Sequence, residues 1–212
     1  MAGVAITTSS IAVGSRCPHV RAGAGAVTTQ NVTDPSIGPE VLTLMANGVS
    51  ATQAVTDVMA GRPYADYRQV AAVDRNGGVA HVTGAEILGT HAVATGDGCV
   101  AAGNLLAATD VPAAMTASFK AGAVHHLAER LLAALEAGIA AGGEEGPTHS
   151  AALLVAHEQS WPLVDLRVDW TEECPGRELR ALWRDYEPQM DAYSLRALNP
   201  GAAPSYGVPG DE

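Results

Sequence analysis

Gly3-Val4-Ala5-Ile6-Thr7-Thr8-Ser9-Ser10-Ile11-Ala12-Val13-Gly14-Ser15-Arg16 opens the chain on an uncharged apolar run, breaks into four hydroxyl side chains, and resumes. Its β-branched residues and lack of charge before Arg16 predict a buried strand over 3–16. A hydroxyl cluster beside such a strand is a place where a hydrolase can hold its nucleophile. Ser or Thr needs only a neighbouring base and a site for the developing oxyanion. Thr8, Ser9 and Ser10 are the candidate catalytic residues on this reading. The same run has a plain structural explanation, because Thr is favoured in strands and Ser ends them.

The elements that follow set the architecture. Residues 17–21 read as a turn and 23–30 as a second strand. Pro39 suits a first helical turn, and Val41, Leu42, Leu44 and Met45 form a helical stripe that stops at Asn47-Gly48. Ser50 caps the next helix, which Gly61 and Pro63 end. Two apolar runs, 68–74 and 79–83, flank Asn76-Gly77-Gly78 and predict a hairpin. Further strands are expected at 91–95 and 99–102. Asp110 and Pro112 open a helix, and Val124, Leu127, Leu131, Leu135 and Ile139 line the face of a longer one. A last strand pair, 149–157 and 163–170, precedes a helix carrying Leu179, Leu182, Trp183 and Tyr186, then a Pro/Gly-rich end at 199–212. Runs of strands between pairs of helices argue against a parallel βαβ sheet. They predict an α+β chain: two antiparallel sheets stacked face to face, each covered by helices.

Composition narrows the function. The chain has 212 residues, a net charge of −11 and a single lysine, Lys120, so it lacks the basic cluster that a nucleic-acid partner would need. Its three cysteines, Cys17, Cys99 and Cys174, are widely spaced and suggest neither a disulfide framework nor a zinc knuckle. No apolar run reaches the length of a membrane span, so no membrane partner and a cytoplasmic location are expected. His125, His126 and Glu129 fall at helical spacing, but without the His-Glu-x-x-His pattern they read as a solvated helix face. No metal and no cofactor are expected. Gln30, Asn31, Arg68 and Asn104 stand at the ends of apolar segments, where they can bind a substrate carboxylate or amide. His19 joins them as a substrate-binding candidate, and it or His81 could instead activate an internal hydroxyl. Trp161, Trp170 and Trp183 near element ends make a homo-oligomer an expectation.

Several stretches, taken in order, resemble the bacterial family known as domain of unknown function 1028 (DUF1028), grouped with the N-terminal nucleophile (Ntn) hydrolases. They are Gly3-Val4-Ala5-Ile6, Ile11-Ala12-Val13-Gly14-Ser15, Arg21-Ala22-Gly23-Ala24-Gly25-Ala26-Val27 and Gly38-Pro39. Tyr67-Arg68-Gln69-Val70, Gly103-Asn104-Leu105-Leu106 and Ser150-Ala151-Ala152-Leu153-Leu154 continue the series. The resemblance implies a four-layer αββα sandwich over 1–172, with 173–212 as a C-terminal extension. It also implies hydrolysis of an amide bond in a small-molecule substrate by a Thr or Ser nucleophile. Members of that family usually open on a further strand led by Thr or Ser, and this chain opens Met1-Ala2, so no position here takes the terminal role. Two alternatives stand beside it: attack by an internal hydroxyl such as Thr8 or Ser9, and a binding or assembly protein that keeps the fold without catalysis.

Overall fold

The opening run does form a strand, β1 (Ala2–Thr8), but a shorter one than predicted. In this computed structural model, which describes residues 1–208, the chain leaves the sheet at the hydroxyl cluster. The reason is a contact with a residue far along the chain. Ser150 Oγ donates to the Ser10 carbonyl at 2.6 Å and accepts from the Val13 N–H at 3.1 Å. Ala12 takes a φ of 54°, and the backbone folds into a 3-10 turn at Val13–Ser15.

A second difference follows at once. Residues read as a turn form β2 (Pro18–Arg21), which pairs antiparallel with β3 (Gly25–Asn31). Proline is tolerated there because it is the first residue of an edge strand, and the reversal falls instead at Gly23, with a φ of 71°. Helices α1 (Ile37–Ala46) and α2 (Ala51–Met59) come next, the latter capped by Ser50, whose hydroxyl accepts from Gln53 N–H. The expected hairpin is β4 (Arg68–Asp74) and β5 (Val79–Thr83). Asp74 fixes its turn by accepting backbone N–H bonds from Asn76 and Gly78, and joins it to α2 by a third from Ala51.

The second half contributes β6 (Ala92–Gly96), β7 (Cys99–Gly103), α3 (Val111–Ala121) and α4 (Leu127–Ala140). It ends with β8 (Ser150–Ala156), β9 (Val164–Val168), α5 (Pro175–Tyr186) and α6 (Met190–Leu198). The strands form three sheets, ordered β1-β8-β9, β2-β3-β4-β5 and β6-β7, and every pairing is antiparallel. The chain is therefore of mixed α+β type.

Three clusters of buried side chains hold these elements together. Ile37, Val41 and Met45 of α1 and Val55 of α2 pack on Val27 and Val70 of the β2–β5 sheet. Leu132, Leu135, Leu179 and Trp183 of α4 and α5 pack on Leu153 and Val155 of β8. Val4 and Ile6 of β1 meet Ala26 of β3 and Leu154 of β8 in the third. Trp183, expected near an exposed end, is wholly buried, because its indole N–H donates to Glu129 at 2.9 Å and its ring fills the space under α4. Trp161 and Trp170 are the exposed ones. Part of the segment beyond residue 173 thus completes the core above β8. His126 does not lie on a helix face. It caps α4, its Nδ1 accepting from Ala128 N–H, and stacks on Trp183 with ring centroids 5.7 Å apart. The final residues of the predicted Pro/Gly-rich end, 209–212, lie outside the described residues.

Candidate functional site

β1 is the edge strand of its sheet, and β7 pairs only with β6. Between β1 and β7 lies a cavity of about 370 Å³. Its floor is apolar, with Met115 and Phe119 from α3 and Leu127, Leu131 and Leu135 from α4. Gly3 shapes that floor, since a Cβ there would meet Leu131 and the Leu154 carbonyl at 2.7 Å. A strand this close to a helix and to its neighbouring strand has no room for a side chain.

At one end of the cavity the hydroxyl cluster meets a carboxylate. Ser9 Oγ donates to Glu144 Oε1 at 2.5 Å, and Ser9 N–H donates to Glu144 Oε2 at 3.2 Å. Glu144 follows the Gly142-Gly143 exit of α4 and is held by an antiparallel bridge to Leu106, just past β7. Glu145 N–H donates to the Leu105 carbonyl at 2.6 Å, and Leu105 takes a φ of 50°. These contacts bring the loops after β1, β7 and α4 to one point. A carboxylate on a serine hydroxyl can accept its proton as the oxygen attacks a carbonyl.

Six of the residues singled out in the sequence line this cavity: Thr8, Ser9, Ser10, Gln30, Asn31 and Asn104. Of the hydroxyls, Ser9 meets the carboxylate. Thr8 Oγ1 accepts from Ser10 N–H at 3.4 Å, and the Ser10 carbonyl is taken by Ser150. Gln30 Nε2 donates to Gln69 Oε1 at 2.7 Å and to the Ala102 carbonyl at 3.1 Å, while Gln69 Nε2 donates to the Gly103 carbonyl at 3.3 Å. This amide pair fastens β7 over the β3–β4 sheet. Asn31 is similarly engaged, donating to the Tyr67 carbonyl and accepting from Leu88 N–H.

His19 and Arg68 do not line the cavity. His19 sits against α1, where a Cβ on Gly38 would run into its ring, and it bonds the Arg16 carbonyl at 3.2 Å. Burial lowers its pKa against that hydrogen bond. Arg68 donates to the Val32 carbonyl. His81 lies in a separate groove with Thr52, Val55 and Met59, between α2 and β5.

Cys17 and Cys99 also border the cavity, and burial pushes both thiols up, which keeps them protonated and poorly nucleophilic. Glu144 and Ser150 are the residues that sequence reading did not single out for the site. The one available signal for Glu144 was a carboxylate placed directly after a Gly-Gly helix exit. Among the described residues no helix is long and apolar enough to cross a membrane, and no three His, Cys, Asp or Glu side chains converge as metal ligands.

Fold and site together describe an α+β protein whose sheets open on an apolar cavity ending in a serine–carboxylate pair. The chain belongs to the DUF1028 family, a family of unknown function, whose model matches residues 1–179. It is similar to a crystal structure of a Silicibacter pomeroyi protein also assigned to DUF1028. The two are 34% identical, with a TM-score of 0.79, over 87% of this chain and 82% of that one. Among curated proteins none matches the chain.

Proposed function

We propose that this chain is an amide-bond hydrolase in which Ser9 is the nucleophile and Glu144 its base, on a four-layer αββα frame related to the Ntn hydrolases. The double contact between Ser9 and Glu144 at the end of the cavity carries the reading. The two helix-on-sheet cores and the sheet-on-sheet core support the frame. In the first step Ser9 Oγ bonds to the amide carbonyl carbon and its proton passes to Glu144. The C–N bond then breaks, and the amine leaves with that proton. Water next attacks the seryl ester, giving a proton to Glu144 and releasing the acid, while Ser9 regains its hydrogen. The exposed Trp161 and Trp170 support self-association of the chain.

Release of nitroaniline from small N-acyl p-nitroanilides tests this function. Ser9→Ala is expected to reduce turnover to background, and Glu144→Gln to lower kcat by about 10²–10⁴. Thr8→Ala and Ser10→Ala are expected to stay within severalfold of the parent. Equal turnover by the parent and Ser9→Ala would remove Ser9 from the role. A binding protein without catalysis is the second reading, favoured by the way both Glu144 oxygens clamp Ser9. It predicts no turnover by the parent and a ligand affinity that Glu144→Gln leaves unchanged.

A further inference from the structure

The four-stranded sheet ends on β5, which pairs with β4 and with no other strand. It lies in a different sheet from β1, so its edge does not depend on the space beside β1. Hydrogen bonding at the two ends of the β4–β5 hairpin shows which of its backbone groups face outward. Gly84 N–H donates to the Arg68 carbonyl at 3.0 Å, and Asp74 N–H to the Gly78 carbonyl at 2.9 Å. Directly opposed residues of an antiparallel pair alternate between hydrogen-bonded and non-hydrogen-bonded. Between those two ends the bonded pairs are therefore Val70–Val82 and Ala72–Ala80. Val79, His81 and Thr83 turn their N–H and C=O groups the other way, and among the described residues no other backbone or side chain takes them up.

An edge left open is normally disabled by proline, charge or cover, as two other outer strands show. β2 opens on Pro18 and ends on the exposed Arg21, and β9 carries the Asp165–Arg167 ion pair at 2.7 Å. β5, Val79-Ala80-His81-Val82-Thr83, has neither proline nor charge. The groove between it and α2, with Thr52, Val55, Met59 and His81 on its lining, holds no Asp, Glu, Lys or Arg either. A chain of net charge −11 repels its own copies over most of its surface, so an uncharged edge is where two of them can meet.

We propose that β5 is a dimer contact, at which two copies of the chain pair antiparallel about a two-fold axis through His81 and join their four-stranded sheets into one. The register follows from which groups face outward. Only with His81 opposite His81 do all three outward residues meet outward partners, Val79 of one copy facing Thr83 of the other. That pairing makes about six N–H···O=C bonds. Centring the pair on Ala80 or Val82 instead leaves one outward residue of each copy unmatched. The chosen register also sets Ala80 opposite Val82, a small side chain against a branched one, on the face covered by α1 and α2. A two-fold contact uses the same edge on both copies, so it closes on itself and leaves no β5 edge exposed. The proposal is independent of the hydrolytic reading, and it places the contact away from Trp161 and Trp170 in the sequence.

Sedimentation equilibrium of the full chain tests this. The parent is expected at twice its mass of 21.6 kDa, dissociating on dilution. His81→Glu and His81→Lys each set like charges against one another on the axis, and each should raise the dissociation constant about tenfold or more. An equimolar mixture of the two variants is expected to recover the dimer, because opposite charges then meet, and that recovery shows that both variants fold. Amide hydrogen exchange reads the pairing itself. The amides of Val79, His81 and Thr83 should be protected at high protein concentration and lose protection on dilution. Those of Ala80 and Val82, bonded to β4, should stay protected throughout. A chain still monomeric at ~1 mM would overturn the proposal. So would a dimer that neither charge variant weakens, variants that do not recover on mixing, or exchange at Val79, His81 and Thr83 that ignores protein concentration.

Discussion

The β2–β5 sheet and the β1/β7 region carry the same kinds of polar residue and use them in opposite ways. In the first, Gln69 is fully buried, and both ends of its amide are taken, by Gln30 on one side and by Gly103 and Thr83 on the other. Asp74 is likewise saturated by three backbone N–H groups. Helices α1 and α2 cover that sheet, and the groove left between α2 and β5, lined by Thr52, Val55, Met59 and His81, holds no carboxylate. In the second, β1, β7 and a serine–glutamate pair border open space. Residue type alone does not distinguish a structural polar group from a working one. What distinguishes them is whether the surroundings already satisfy the group or leave room for a ligand beside it.

That contrast can be broken at several points. The largest effect on stability is expected from truncation under the closed sheet. Ile37→Ala removes a wholly buried side chain and should cost about 2–5 kcal/mol in denaturant unfolding. Leu131→Ala, on the cavity floor, already borders a void, so it should cost less, about 1–2 kcal/mol, mainly as lost transfer free energy. Equal losses at the two positions would mean that the cavity is collapsed in solution.

A smaller difference is expected between two polar substitutions. Gln69→Leu strips the Gly103 carbonyl of a donor and Gln30 of an acceptor, and should cost about 1–3 kcal/mol. Glu144→Gln keeps a carbonyl that can accept from Ser9, so its stability cost should stay below about 1 kcal/mol while turnover falls.

The smallest effect is one of pH. Partial burial pushes the Asp74 carboxyl up, but the N–H groups of Ala51, Asn76 and Gly78 outweigh it and hold the pKa below the usual value. A depressed folded-state pKa gives stability that is present above the unfolded value near ~4 and is lost as pH falls through the folded one. Asp74→Asn should therefore flatten the acid limb of a stability–pH curve below about pH 4 and leave its slope near neutrality unchanged. An unaltered acid limb would show that Asp74 is not held in this way.

Much of the element order was legible in the sequence, because the Asn76-Gly77-Gly78 turn, the Ser50 cap and the α4 stripe are local signals. So was part of the rim: Ser9, Gln30, Asn31 and Asn104 do reach the cavity, as polar ends of apolar segments should. Other positions depended on contacts distant in sequence. Ser150, 140 residues from Ser10, bends the chain out of β1. Glu144 reads as one of two solvated acids after a helix until its bridge with Leu106 brings it to Ser9. His19 and Arg68 are equally polar in the sequence, but their bonds to the Arg16 and Val32 carbonyls keep them off the cavity lining. Trp183 looks like an exposed tail residue until Glu129 supplies an acceptor for its indole.

The account turns on whether the Ser9 hydroxyl is a nucleophile or only a strut. A fluorophosphonate probe followed by peptide mass spectrometry reads this directly. The account predicts a single adduct on Ser9, absent in Ser9→Ala and formed at least tenfold more slowly in Glu144→Gln, with Thr8 and Ser10 unmodified. An unlabelled Ser9, or labelling at the same rate in Glu144→Gln as in the parent, would contradict it.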